Sequence, residues 1–218
     1  MNKPPKETAL ENRQTDGAKL FSPSTARNRE PIRAAFLRTM PKFGRILEVG
    51  GGTGEHAVFL ASALPEIEWR TGDPDETARA SIAAWIADAG LPNLSGPHAI
   101  DAAAPAWGVE GEAQFDGLVS INMIHIAPFD AARGLFAGAG RLLRPGGKLF
   151  LYGPFSRGGV HTAPSNQAFD ESLKSRDERW GVRDLEHDIA PLAQKNALER
   201  CDLVEMPANN FAVIFRKI

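Results

Sequence analysis

The feature that most constrains this chain is the run Gly50-Gly51-Gly52-Thr53-Gly54. It follows a short apolar stretch over residues 45–49 and precedes a helical pattern over 55–64. Glycine is needed where a backbone turns with positive φ or where a ligand comes close to it. A strand that feeds such a turn and then a helix is the opening unit of an open α/β sheet, whose ligands sit beyond the carboxyl ends of the strands. A ligand-free tight turn is the alternative, and four glycines in five residues weigh against it. The turn leaves the ligand open. Gly52-Thr53-Gly54-Glu55-His56-Ala57 fits the dinucleotide pattern G-x-G-x-x-A, with Asp73 at the distance of a ribose-binding acid, so NAD is admissible. No Gly-Lys-Ser/Thr follows, which excludes a P-loop.

Helical and strand patterns alternate along the rest of the chain. Residues 31–40 form a helix with Pro31 in its first turn and Ile32, Ala35, Phe36 and Met40 on one face. A second strand over 67–71 ends before Asp73-Pro74-Asp75, and Asp75 caps a helix over 77–89 that Gly90 stops. A weak strand follows at 96–100. Residues 115–121 are nearly continuous apolar sequence, the pattern of a strand buried on both faces. A helix over 129–143 runs to Pro145-Gly146-Gly147, and a further strand spans 148–152. The last part contains helices over 165–176 and 184–196, then strands over 203–206 and 211–216. Pro207-Ala208-Asn209-Asn210 is too short for a parallel crossover, so these last strands pair antiparallel. The sum is a mainly parallel sheet with helices on both faces and an antiparallel pair at its end.

At 218 residues, one domain is the simplest division. Residues 1–20 read as a polar, partly disordered tail without the apolar core of a signal peptide, and 21–218 as the single domain. A net charge of −2 gives no basic excess for nucleic acid or anionic membrane. No run of about 18 apolar residues marks a spanning helix. The single cysteine, Cys201, suits a reducing compartment, and a cytoplasmic location is expected. The five histidines are scattered and show no metal-ligand spacing, so no metal is expected. No G-x-S-x-G elbow is present.

The motifs together resemble those of the class I S-adenosylmethionine-dependent methyltransferases. Arg45-Ile46-Leu47-Glu48-Val49-Gly50-Gly51-Gly52-Thr53-Gly54 is similar to their first motif, Asp73 to the acid after the second strand, and Asp101 to the position after the third. Phe115-Asp116-Gly117-Leu118-Val119 is similar to the fourth strand. Arg141-Leu142-Leu143-Arg144-Pro145-Gly146-Gly147-Lys148-Leu149 is similar to the turn before the fifth. A closer resemblance runs through Phe21-Ser22-Pro23, residues 27–32, Tyr152-Gly153-Pro154-Phe155, residues 161–166 and Met206-Pro207-Ala208-Asn209-Asn210. It is to a small subfamily of methyltransferase-like proteins, with animal members, catalogued as a domain of unknown function.

The resemblance implies a Rossmann-like α/β fold: a seven-stranded, mostly parallel sheet in the order 3-2-1-4-5-7-6, strand 7 antiparallel, with helices on both faces. It divides the domain into a cofactor-covering segment (21–42), a cofactor-binding core (43–153) and a substrate-side segment with the terminal hairpin (154–218). It implies S-adenosylmethionine as methyl donor and S-adenosylhomocysteine as product. Gly50, Gly52 and Gly54 form the cofactor turn, Asp73 with Pro74 lies at the ribose, Asp101 lies by adenine, and Glu48 orients the methionine amino group. Asn122 and Met123 line the site, and Arg29 binds the cofactor carboxylate from the N-terminal segment.

His125 is a candidate general base and Tyr152 a candidate substrate ligand, with His161 and Asn166 in a substrate lid. Each residue also has a plain structural reading: helix cap for Asp73, backbone-bonding acid for Glu48, turn aspartate for Asp101, satisfied core residues for His125 and Tyr152, and a solvated face for the arginines. Asn122-Met123-Ile124-His125 departs from the Asp/Asn-Pro-Pro-Tyr/Phe of amino-methylating relatives, which weakens adenine or glutamine methylation. The acceptor, a small molecule or a protein, is not legible. A non-catalytic cofactor-binding scaffold and an NAD-dependent oxidoreductase are the competing functions.

Overall fold

The structure is a computed structural model that describes residues 13–111 and 114–218. The chain opens with a small hairpin of β1 (Gln14–Asp16) and β2 (Lys19–Phe21), followed by α1 (Pro23–Thr39). Next come β3 (Gly44–Val49), α2 (Glu55–Ser62), β4 (Ile67–Gly72), α3 (Glu76–Ala89), β5 (Leu94–His98) and β6 (Phe115–Ile121). A 3-10 turn at Met123–His125 leads to α4 (Phe129–Leu142) and β7 (Leu143–Gly153). The segment after β7 holds β8 (Phe155–Arg157), β9 (Val160–His161), α5 (Pro164–Arg176), β10 (Arg183–Asp184), a π-type turn (Leu185–Ile189) and α6 (Ala190–Lys195). The chain closes with β11 (Leu198–Met206) and β12 (Asn210–Lys217).

Seven strands form one sheet in the order β11-β12-β7-β6-β3-β4-β5. Counted along the sheet strands alone, this is the expected 3-2-1-4-5-7-6. β3, β4, β5, β6 and β7 pair parallel, while β12 runs antiparallel to both β7 and β11. A dinucleotide-binding sheet has the order 3-2-1-4-5-6, and the inserted antiparallel strand separates this chain from it.

Alternation along the strands explains why both faces are covered. Ile46, Val119 and Phe150 point to one side and pack with Phe36, Leu60 and Trp69 under α1 and α2. Leu47, Leu118 and Leu151 point to the other and pack with Leu135, Phe136 and Ala139 of α4. Phe136 meets Phe215 of β12 edge to face, with ring centroids 5.3 Å apart. Among the described residues no helix is long and apolar enough to cross a membrane.

Several boundaries differ from the sequence expectation for physical reasons. The first helix begins at Pro23 rather than Pro31, because Ser22 caps it by accepting the Thr25 amide and Pro23 fills its first turn. Arg27, Asn28 and Arg29 therefore lie in the helix and not before it. Of the expected tail over 1–20, residues 1–12 lie outside the described residues, and 14–21 form the hairpin that docks on α3. There Ser81 Oγ accepts the Leu20 amide at 2.8 Å, and the Trp85 indole donates to Leu20 O at 3.0 Å.

The strand expected from 148 starts at Leu143. Residues 144–147 bulge out between the pairs Phe115–Leu143 and Gly117–Lys148. The helix expected over 184–196 runs without a gap over 185–195, but its first turn is π-type: Asp184 caps it at Glu186 and His187, and Pro191 sits in the first turn of α6, where it has no amide to donate. β11 starts at Leu198 rather than 203. Its charged Glu199, Arg200 and Asp202 hide the strand from a hydrophobic pattern because it forms the exposed sheet edge.

Candidate active site

Strand order reverses between β3 and β6, and a cleft of about 1290 Å³ opens there at the carboxyl ends of β3, β4, β6 and β7. Its floor is the glycine turn. The amides of Gly50 and Gly51 both donate to Gly72 O at 3.0 Å, which splices the turn onto the end of β4. Gly50 has φ +79, and a Cβ there would lie 2.7 Å from Met123, so only glycine brings the β6 loop this close. Gly54 has φ +92, and a Cβ there would lie 2.9 Å from Ile82 Cα. Gly54 thus serves helix packing, whereas Gly50 and Gly52 line the cleft.

Two aspartates divide the work after β4. Asp75 caps α3 by accepting the Ala78 amide at 2.8 Å. Asp73 accepts the Gly52 amide on Oδ2 and the Asp75 amide on Oδ1, each at 3.0 Å. Burial raises its pKa above the ordinary value against those two amides, and the charge of Arg13, also at the cleft, acts the other way. Pro74 lines the cleft beside it.

Glu48, at the end of β3, is 2% exposed and accepts the Thr71 hydroxyl at 2.7 Å. Burial pushes its pKa up to about 7 against the Thr71 hydrogen bond. Asp101 is exposed at the rim and accepts the Ala103 amide at 2.9 Å. The three acids therefore line successive strand ends of one cleft. Among the described residues, no group of three His, Cys, Asp or Glu side chains is placed to hold a metal ion.

The opposite wall is built from β6, β7, α1, α5 and the β11–β12 turn. Asn122 has φ +61 and donates its amide to Tyr152 O at 2.8 Å, which joins the ends of β6 and β7. Tyr152 lines the cleft, and the Asn28 side chain hydrogen-bonds its phenol. Burial raises the phenol's pKa despite that bond, so it keeps its proton. Asn166 donates to Thr162 Oγ1 at 3.1 Å and to Asn209 O at 2.9 Å, which ties α5 to the terminal turn.

Three expected residues lie elsewhere. Arg29 stacks on Phe59 at 5.1 Å and does not line the cleft; Ser24, Arg27, Asn28 and Pro31 form the lining face of α1 instead. His161 also lies off the cleft and faces Asp170 at 3.5 Å. His125 belongs to a cleft-lining loop, but its side chain is 0% exposed. Its Nδ1 accepts the Arg183 amide at 3.3 Å, its ring packs edge to face on Phe155, and its Nε2 lies against Gly153, where a Cβ would be only 2.4 Å away. Burial lowers its pKa to about 3, helped by Arg183.

Sequence reasoning gives no site role to His56 or Asn209 and places Arg27 and Asn28 only in the cofactor-covering segment; all four line the cleft. The residue-27–31 and residue-206–210 motifs were visible. Their roles depend on a helix start and a turn that bring them to the same opening.

This sheet order, with its antiparallel β12, is the fold found in solved methyltransferase structures. The chain matches the model of a family described as a protein of unknown function (DUF938) over residues 19–217, and it belongs to that family. Among solved structures it is similar to TnmH (17% identity, TM-score 0.72, 89% of this chain and 55% of that one). It is also similar to the S-adenosylmethionine-dependent methyltransferase SibL (20%, 0.71, 89% and 55%) and to human N-acetylserotonin methyltransferase in complex with SAM (15%, 0.69, 89% and 52%). The chain thus spans about half the length of these proteins.

Proposed function

We propose that this chain binds S-adenosylmethionine in the strand-end cleft and transfers its methyl group to a small-molecule acceptor. The observation that carries the reading is the row Glu48, Asp73 and Asp101 around the Gly50–Gly52 turn, in a sheet with the antiparallel β12. The residues present fit such a cofactor. The Asp73 carboxylate is fixed by two amides and can accept from neighbouring ribose hydroxyls. Glu48, when ionised, would hold the ammonium of the methionine part, and Arg27 would meet its carboxylate from α1. The cofactor brings an electrophilic methyl group on its sulfonium. The chain's task is to hold the acceptor in line and to exclude water. The β11–β12 turn, α1 and α5 wall the opening, and the cleft exceeds the roughly 300–1,000 Å³ of one ordinary ligand site, which leaves room for an acceptor.

One observation favours a second reading. The enclosed His125 leaves the expected general base out of reach, as a binding-only protein would allow. Incubating the protein with methyl-labelled cofactor and the small-molecule fraction of a cell extract separates the two. Label transferred to a small molecule supports the enzyme. Tight cofactor binding with no transfer supports the binding protein.

A further inference from the structure

The charged groups at the cleft are unevenly placed. Glu48, Asp73, Asp75 and Asp101 sit at strand ends around the glycine turn, and Arg13 acts on Asp73. His56 is buried at the start of α2, and burial lowers its pKa to about 4. Arg27 donates to Ser24 Oγ on α1 at 3.1 Å. His125 is enclosed by Gly153, Phe155 and the Arg183 amide. What faces the rest of the opening, among the described residues, is neutral: Tyr152, Asn28, Asn166, Asn209, Phe169 and Pro154. This half offers hydrogen-bond donors and apolar walls, but no group that takes up a proton near neutral pH.

The lack of such a group among the described residues of this half limits the acceptor. Phenols and alkylamines, with pKa values of about 10, need a base to expose the nucleophile, whereas a thiol near about 8.5 ionises appreciably on its own. A thiolate also suits a pocket whose neutral Tyr152 phenol can donate to an anion. Resting on the proposed cofactor reading, we infer that the acceptor is a small, largely apolar thiol, methylated on sulfur as its thiolate. The thiol first loses its proton to solvent. A thiolate lone pair then forms the new S–CH₃ bond, while the bond from methyl to the cofactor sulfonium breaks and its electron pair stays on that sulfur, leaving a neutral thioether. Tyr152, with Asn28 behind it, positions the thiolate.

The test gives the full chain methyl-labelled S-adenosylmethionine with benzenethiol, methyl thioglycolate, phenol or 2-phenylethylamine. Cofactor binding is measured on the same sample by calorimetry. Both thiols should be methylated, and the phenol and the amine at least about a hundredfold more slowly, the factor a missing general base removes. The pH midpoint of kcat/KM should lie lower for the more acidic aryl thiol. Tyr152→Phe should lower kcat about tenfold for either thiol, as expected for one lost hydrogen bond to a charged group, and leave each midpoint in place. Cofactor binding without thiol methylation, comparable turnover of phenol or amine, or one midpoint shared by both thiols overturns the inference and leaves the cofactor reading standing. Absence of cofactor binding overturns both.

Discussion

Asp73 accepts the amide of Gly52 at 3.0 Å, so the acid after β4 holds the glycine turn that follows β3. The same carboxylate faces the cleft and has Asp75, not itself, as the cap of the next helix. Asp73→Ala is expected to weaken S-adenosylmethionine binding by about 1–3 kcal/mol, the cost of losing a buried hydrogen-bonding partner. Titration calorimetry reads this directly, and an unchanged affinity removes Asp73 from the ribose site.

Glu48 gives the proposed cofactor site a pH dependence. Its folded pKa of about 7 stands above the ordinary 4.5. Its stabilising contribution is therefore complete below the unfolded value and is lost as pH rises through about 7. Binding runs the other way. If the ionised carboxylate receives the methionine ammonium, affinity climbs as pH rises through about 7, and Glu48→Gln flattens that climb. Calorimetry across that interval decides, and a flat wild-type profile counts against Glu48 as the ammonium partner.

His56 and His125 act on acid stability. Burial lowers both below the ordinary 6.5, to about 4 and about 3. Both are neutral in the fold and protonate when the chain unfolds, so the stability they contribute is present above 6.5 and is lost as pH falls. Denaturant unfolding between about pH 5 and 6.5 should take up protons, and His125→Asn should remove about one of them. A variant with the wild-type slope would show that His125 does not titrate as its enclosure requires.

Asn166 ties α5 to the turn between β11 and β12 through Asn209 O, and to Thr162 through the same amide nitrogen. Asn166→Ala should cost about 0.5–1.5 kcal/mol in local stability, the net worth of an ordinary hydrogen bond, because Asn209 is exposed and its carbonyl can turn to water. Faster hydrogen exchange over residues 162–176, with the central sheet unchanged, is the expected signature. Uniform acceleration across the sheet would mean that the tie is global rather than local.

The sheet was legible because its strands carry the signal of burial on both faces: 115–121 matches β6 residue for residue. The glycine turn, Asp73 and the Asp75 cap were legible because each depends on residues close in sequence. What the sequence hid depends on distant packing. Nothing near His125 foretold that Gly153, Phe155 and Arg183 would seal its ring. Arg29 and Arg27 are equivalent in composition, and only the helix starting at Pro23 turns one to Phe59 and the other to the cleft. β11 stayed half hidden because an exposed edge strand needs no apolar pattern.

The central claim is that this cleft takes S-adenosylmethionine. Calorimetric titration of the full chain with S-adenosylmethionine and, separately, with NAD tests it most directly. The account predicts saturable one-site binding of S-adenosylmethionine that Asp73→Ala weakens, with no binding of NAD. Clear NAD binding with none of S-adenosylmethionine would contradict it.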